Sequence, residues 1–285
     1  MTHRHNLEHH RQGLAEIREI MNAMKTLAYM ETRKLGRFLD AQRAVVQNIE
    51  DMATDLLSFH PASLPESKET APVFLLIGTE RGFCGDFNHA LLHYLETALQ
   101  EHPADNPMLI AVGRKLHTVL EGDARVAALI DGASVVEELS FLLSRLAEAL
   151  TGLQDRHGIV TVFCIYHDSE DGIVMRKLLP PFQHLMHKPS QFSHPPVLHQ
   201  SPGEFLLELA EHYLFAALNQ MLYTSLMMEN YRRVSHLEGA VKHLDDESAE
   251  LAQQCNALRQ EEIIEEIEVI LLSASSLDES SHGPG

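Results

Sequence analysis

The chain has 285 residues, 45% of them hydrophobic and 6% aromatic, with no Trp and a formal charge of −19. That apolar content supports one large core or two small ones and excludes a disordered polypeptide. The acidic balance disfavours nucleic-acid phosphates and direct adhesion to anionic lipid.

The charge is uneven. Residues 1–59 are net zero, 60–203 carry −7 and 204–285 carry −12. Three cysteines, Cys84, Cys164 and Cys255, are far apart and odd in number, which fits a reducing compartment better than a disulfide scaffold. The polar start MTHRHNLEHHRQ has no apolar signal-peptide region, and no run approaches the ~20 apolar residues of a membrane span. Its histidines, His3, His5, His9 and His10, read as a solvated, pH-sensitive helical start rather than a metal site.

The first element is a long helix over 1–59. Stepping three and four from Leu14 gives Ile17, Met21, Met24, Ala28, Glu31, Leu35, Phe38, Gln42, Val45, Ile49, Met52, Leu56 and Phe59, broken only by Glu31 and Gln42. A seven-residue repeat keeps one seam facing a partner helix. At about 1.5 Å per residue, a helix from about Arg4 to Phe59 is roughly 80 Å long. Prolines and polar residues in HPASLPESKETAP mark a linker over 60–72.

From Val73 to about residue 190, short apolar runs (VFLLIG, MLIAVG, IVTVFCIY) alternate with helical ones (HALLHYLETAL, RKLHTVL, SVVEELSFLLSRLAEALTGL). This predicts parallel strands buried on both faces, in a Rossmann-like α/β insert. A proline-rich segment leads through a linker at 191–203 into a second long helix, 204–278, and a disordered tail, 279–285. That helix carries two heptad registers. Leu207, Leu214, Met221 and Met228 alternate with Ala210, Ala217, Thr224 and Tyr231, and then come Leu237, Val241, Leu244, Ser248, Leu251, Cys255 and Leu258. The apolar cluster IIEEIEVILLSASSL departs from both. The fold class is therefore α/β, with a long antiparallel coiled coil of the N- and C-terminal helices around the insert.

The loop GTERGFCGDFN, 78–88, sits where a phosphate-cradling turn would lie. Its glycines, at 78, 82 and 85, match neither the dinucleotide fingerprint nor the P-loop. Asp86 already holds the anion position at the helix mouth. Cys84 has no base and orienting group defined around it, and Asp86 or Asn88 serves as N-cap of the next helix. His167-Asp168 reads as a loop cap, and the Glu137/Glu138, Glu261/Glu262 and Glu265/Glu266 pairs as solvated faces. No catalytic residue, cofactor or metal is expected.

Three segments resemble the gamma subunit, or central stalk, of the F-type rotary ATP synthase. In the glycine loop the matching residues are Arg81, Gly82, Cys84, Gly85 and Asn88, with Glu80 and Phe83 as close replacements. AMKTLAYMETRK, 23–34, resembles the family's first-helix motif, which includes Met24, Arg33 and Lys34. NALRQEEIIEEIEVI resembles its C-terminal motif through Asn256, Arg259, Gln260, Ile263, Glu266 and Ile270. Asp86, Ile264, Val269, the neutral first helix and the acidic last segment depart from the family pattern.

The resemblance implies a non-catalytic rotor. Its partners would be the alpha and beta subunits of the catalytic head, the epsilon subunit and the membrane c-ring, with no nucleic acid. Membrane contact would be indirect, in a peripheral complex on the cytoplasmic face. The subunit-interface residues it implies are Met24, Arg33, Lys34, Arg81, Asn88, Arg259, Gln260 and Glu266. Two other readings are a coiled-coil scaffold with an α/β binding head and a thiol enzyme using Cys84.

Overall fold

The computed structural model describes residues 2–64, 72–101, 106–158, 160–186, 188–190 and 192–281, with backbone alone at 2, 3, 157 and 273–281. The expected linker at 60–72 and the tail at 279–285 therefore lie partly outside the described residues. The chain divides into two units, Leu27–His236 and Met1–Thr26 with Leu237–Gly285. Helix α1 spans Thr2–Phe59, and the last helix, α5, spans Pro202–Ser281.

Within Leu27–His236 lie β1 (Pro72–Ile77), α2 (Phe87–Glu101), β2 (Met108–Val112), α3 (Arg114–Val119), β3 (Val126–Ile130), α4 (Leu139–His157), β4 (Thr161–His167) and β5 (Ile173–Leu179). The strands form one sheet in the order β3-β2-β1-β4-β5. The first four are mutually parallel, as expected from apolar runs separated by helices. The unanticipated β5 adds antiparallel to β4, and its Arg176 and Lys177 suit an edge.

Strand periodicity sorts the core into two layers. Val73, Leu75, Ile77, Ile110, Val112, Val162 and Cys164 face α4 and the adjoining stretches of α1 and α5. Phe74, Leu76, Leu109, Ala111 and Ile165 face α2 and α3. Each long helix thus buries a stripe on the sheet as well as on the other helix. Asn219 Nδ2 donates to Gln42 Oε1 at 3.1 Å and Tyr213 donates to Glu50 at 3.2 Å, so the two helices run antiparallel.

That double duty displaces the seam of α1. Leu35, Leu39, Val46, Ile49, Ala53, Leu56 and Leu57 are buried, whereas Phe38, Val45 and Met52, expected in the seam, are exposed. The seven-residue period survives, but one of its two rows moves by a residue, toward the sheet. On α5, Leu207 and Tyr231 are exposed, while Leu206, Leu209, Tyr213, Ala216, Ala217, Gln220 and Met221 are buried.

In the other unit the helices are again antiparallel, since Arg4 pairs with Glu262 at 2.9 Å and Arg18 with Asp245. Leu237, Val241, Leu251 and Cys255 are buried as the second register expects, opposite a stripe that includes Leu14. Among the described residues no helix is long and apolar enough to cross a membrane.

The displaced seam has a direct test. Leu39→Ala, at a position outside the expected heptad, should cost about 2–5 kcal/mol of stability in urea unfolding. Met52→Ala, inside that heptad, should change it by no more than about 0.5 kcal/mol.

Candidate functional site

The glycine loop leaves β1 at Ile77 and enters α2 at Phe87. A Cβ on Gly78 would sit 2.6 Å from Leu116 Cβ and 2.7 Å from Asn88 Oδ1, so only glycine fits that crossing. Asn88 does not cap α2. Its Oδ1 accepts from the Thr79 N–H at 3.0 Å and its Nδ2 donates to Thr79 Oγ1 at 2.9 Å, tying the start of the helix back to the end of the strand. Asp86 stands at the cap position, where its carbonyl accepts from the Ala90 N–H at 2.9 Å. His167, buried at the end of β4, stacks on Phe87 with centroids 3.6 Å apart and bonds the Phe87 carbonyl through Nε2 at 3.0 Å. Burial lowers its pKa, which favours the neutral ring. Asp168 Oδ1 accepts from the Glu170 N–H at 3.0 Å, the turn cap expected of it.

In doubly wound sheets a ligand lies beyond the carboxyl ends of the strands. Here side chains of the protein occupy that place. Glu80 accepts from the N–H of Gly132 at 2.7 Å, the N–H of Arg114 at 3.1 Å and Arg114 Nε at 2.8 Å. Its carboxylate is 8% exposed and sits where an incoming phosphate would need the same donors. The absence of a nucleotide fingerprint in the loop therefore has a structural counterpart.

The other side of the loop is held by α5. Glu229 accepts from the N–H groups of Glu80 and Arg81, each at 3.3 Å, and is paired with Arg233 one turn on. Arg233 also donates to the Gly82 carbonyl at 3.1 Å and to Asn230 Oδ1 at 2.8 Å. Burial pushes the Glu229 carboxyl upward, while Arg233 and the two N–H groups draw it back down. Phe83 and Gly85 take left-handed φ angles of 65° and 64°, which turn the loop tightly against the helix.

The thiol of Cys84 points at the carbonyls of Gly82, Arg81 and Glu229, at 3.4, 3.6 and 3.7 Å. Burial pushes its pKa up to about 12. An open cavity of about 410 Å³ flanks the loop, lined by Arg81, Phe83, His89, Lys115 and His236 among others. Among the described residues no group of three or more His, Cys, Asp or Glu is placed to hold a metal.

The eight implied interface residues are divided between the two units. Arg81 is exposed, with Nε donating to Ser134 Oγ at 2.9 Å, and Asn88 is buried in the turn. Lys34 is ion-paired with Glu137, and Arg33 is exposed on α1. In the other unit Met24 is half-buried, while Arg259, Gln260 and Glu266 are exposed on α5. Beside them Ile263, Ile264, Ile267, Val269 and Ile270 form an exposed apolar run.

Sequence reasoning missed Glu80, Glu229 and Arg233 as loop contacts. The available signal was a Glu–Arg pair four residues apart in the stretch of α5 that follows an apolar run. A thiol held this way is a poor nucleophile. Native protein treated with iodoacetamide at pH 7.5 should leave Cys84 unlabelled, and unfolding in urea should expose it.

The ATP synthase family model (ATP-synt) matches residues 4–277. The ATP synthase gamma chain of Desulfitobacterium hafniense is 25% identical over 94% of this chain and 96% of its own length. That of Salinibacter ruber is 22% identical over 94% and 96%. The rotor of the Euglena gracilis mitochondrial ATP synthase superposes with a TM-score of 0.67 at 12% identity, over 92% of this chain and 99% of its own. The central stalk of the Tetrahymena thermophila mitochondrial enzyme gives 0.56 at 18%, over 78% and 99%. With a match over nearly its whole length, the chain belongs to the ATP synthase family.

Proposed function

We infer that the chain is the central-stalk rotor of an ATP synthase, a non-catalytic gamma subunit that couples ion flow through a membrane ring to ATP synthesis or hydrolysis in a catalytic head. The observation that carries this reading is the antiparallel pairing of the first and last helices around an α/β insert, in a chain matched by the family over residues 4–277. Its partners are the alpha and beta subunits of the head, the epsilon subunit and the c-ring. It sits on the cytoplasmic face of the membrane and touches the bilayer only through the complex.

The paired segments 1–59 and 204–278 form the shaft. A rotor needs a surface that turns without sticking, and hydrophobic contact is non-directional. The exposed run Ile263–Ile270 suits an apolar sleeve in the head for that reason. Arg259 and Gln260, exposed just before it, are the polar groups suited to orientation-specific contacts with the head. Met24, Arg33, Lys34 and Glu266 complete the shaft's interface set, and Arg81 presents the insert to a neighbouring subunit. Asn88 acts from within, by holding the turn that carries Arg81.

The chain should restore coupled ATP hydrolysis to a complex lacking its gamma subunit and co-purify with alpha and beta subunits. A scaffold protein would do neither. Arg259→Ala combined with Gln260→Ala should lower the coupled rate by about tenfold, the loss expected of one or two hydrogen bonds formed at the rate-limiting orientation. An unchanged rate would remove both residues from the interface.

A further inference from the structure

The glycine loop is tied to α5 by a buried charged pair that bonds its backbone. Above the loop, α5 meets the sheet mainly through Ala216, Leu218, Met221, Leu222 and Leu226, with one polar bond, from Ser225 Oγ to the Ile77 carbonyl at 3.3 Å. The apolar contacts have no preferred direction, and a helix can roll on them by small repacking. At Glu229 and Arg233 the contact changes character. Two backbone N–H groups and one backbone carbonyl of the loop are each held at bonding distance by a side chain on one turn of α5. Backbone groups cannot change rotamer to follow a turning helix, so these bonds survive at one rotational setting of α5 against the insert.

We propose that Glu229 and Arg233 form a key that fixes the rotational register of α5 against the α/β insert, with loop residues Glu80–Gly82 as its keyway, and that torque between shaft and insert is transmitted through it without slip. This rests on the rotor reading above. It gives the loop motif a mechanical role in place of ligand binding. Glu229 and Arg233 are positioning residues, since they act through the loop backbone that they hold.

The side chains are suited to the task. Both are nearly fully buried, so water does not compete for the bonds. Arg233 offers a fork of donors that reaches Glu229, Asn230 and the Gly82 carbonyl together, which a lysine could not reproduce. Removing one partner alone strands a buried charge. The informative variant therefore replaces both, as Glu229→Leu with Arg233→Met.

The test is made in the assembled complex, with ATP hydrolysis and ATP-driven ion pumping measured on the same vesicles. The double variant should keep hydrolysing ATP while ions pumped per ATP fall about fivefold, the scale expected when one net hydrogen bond no longer opposes slip. Glu229→Gln keeps an acceptor for the loop N–H groups but leaves Arg233 without its counter-charge, so its ratio should fall between those of the double variant and the wild type. Arg232→Ala, an exposed neighbour on the same helix, should leave it unchanged. A wild-type ratio in the double variant overturns the proposal. If the double variant does not assemble, Arg233→Lys supplies the ratio instead, and a wild-type value there overturns it equally.

In the isolated full chain, hydrogen exchange at the Glu80 and Arg81 amides should quicken about fivefold in Glu229→Leu with Arg233→Met. Unchanged exchange also counts against the key. Failure of the wild-type chain to restore pumping to a complex lacking gamma would instead refute the rotor reading.

Discussion

A carboxylate and a guanidinium placed inside a helix interface demand partners for every lone pair and proton they carry. Glu229 and Arg233 satisfy that demand with the backbone of one loop. The demand runs both ways. The loop N–H and carbonyl groups, bent away from strand and helix by left-handed Phe83 and Gly85, need bonding partners of their own. Loop and helix therefore fix each other. The fold's most ligand-like feature is consumed by internal contacts, with Glu80 filling the anion position on one side and α5 closing the other.

Around this polar contact the holding force is apolar. One face of the sheet, α4, α1 and α5 share a single core within Leu27–His236. Burial of that area supplies most of the affinity between helices and insert, since it scales with area removed from water. Register comes from the directional bonds. The division of labour explains why the apolar part of α5 tolerates a departure from strict heptads while the turn at 229–233 is so specific in its contacts.

Much of this was legible in the chain itself. Proline-free heptad stretches revealed both long helices, and VFLLI and MLIAV read as strands because residues buried on both faces leave no polar alternation. Three short motifs pointed to the family. What failed was finer. The α1 pattern assumed one partner helix, so Phe38, Val45 and Met52 were placed inside, but Leu39, Val46 and Ala53 are buried instead, the last two in the core that the sheet shares. Strand β3, VAALI, is as long and as apolar as β2 and was overlooked, whereas β5 carries Arg176 and Lys177 and did not stand out as an apolar run. Asn88 followed N-cap statistics in expectation and a tertiary bond to Thr79 in fact. Glu229 and Arg233 were hidden because i,i+4 charge pairs on helices are ordinarily solvated, and only the placement of the loop shows that these are not.

A chain of this kind acts by turning while other polypeptides do the chemistry. The most direct measurement attaches a bead to the exposed surface of α4 in an immobilised complex and follows it under ATP. Stepwise rotation in one direction, stopping when ATP is withdrawn, is the predicted result. A bead that stays fixed while the head hydrolyses ATP at its normal rate would contradict the account.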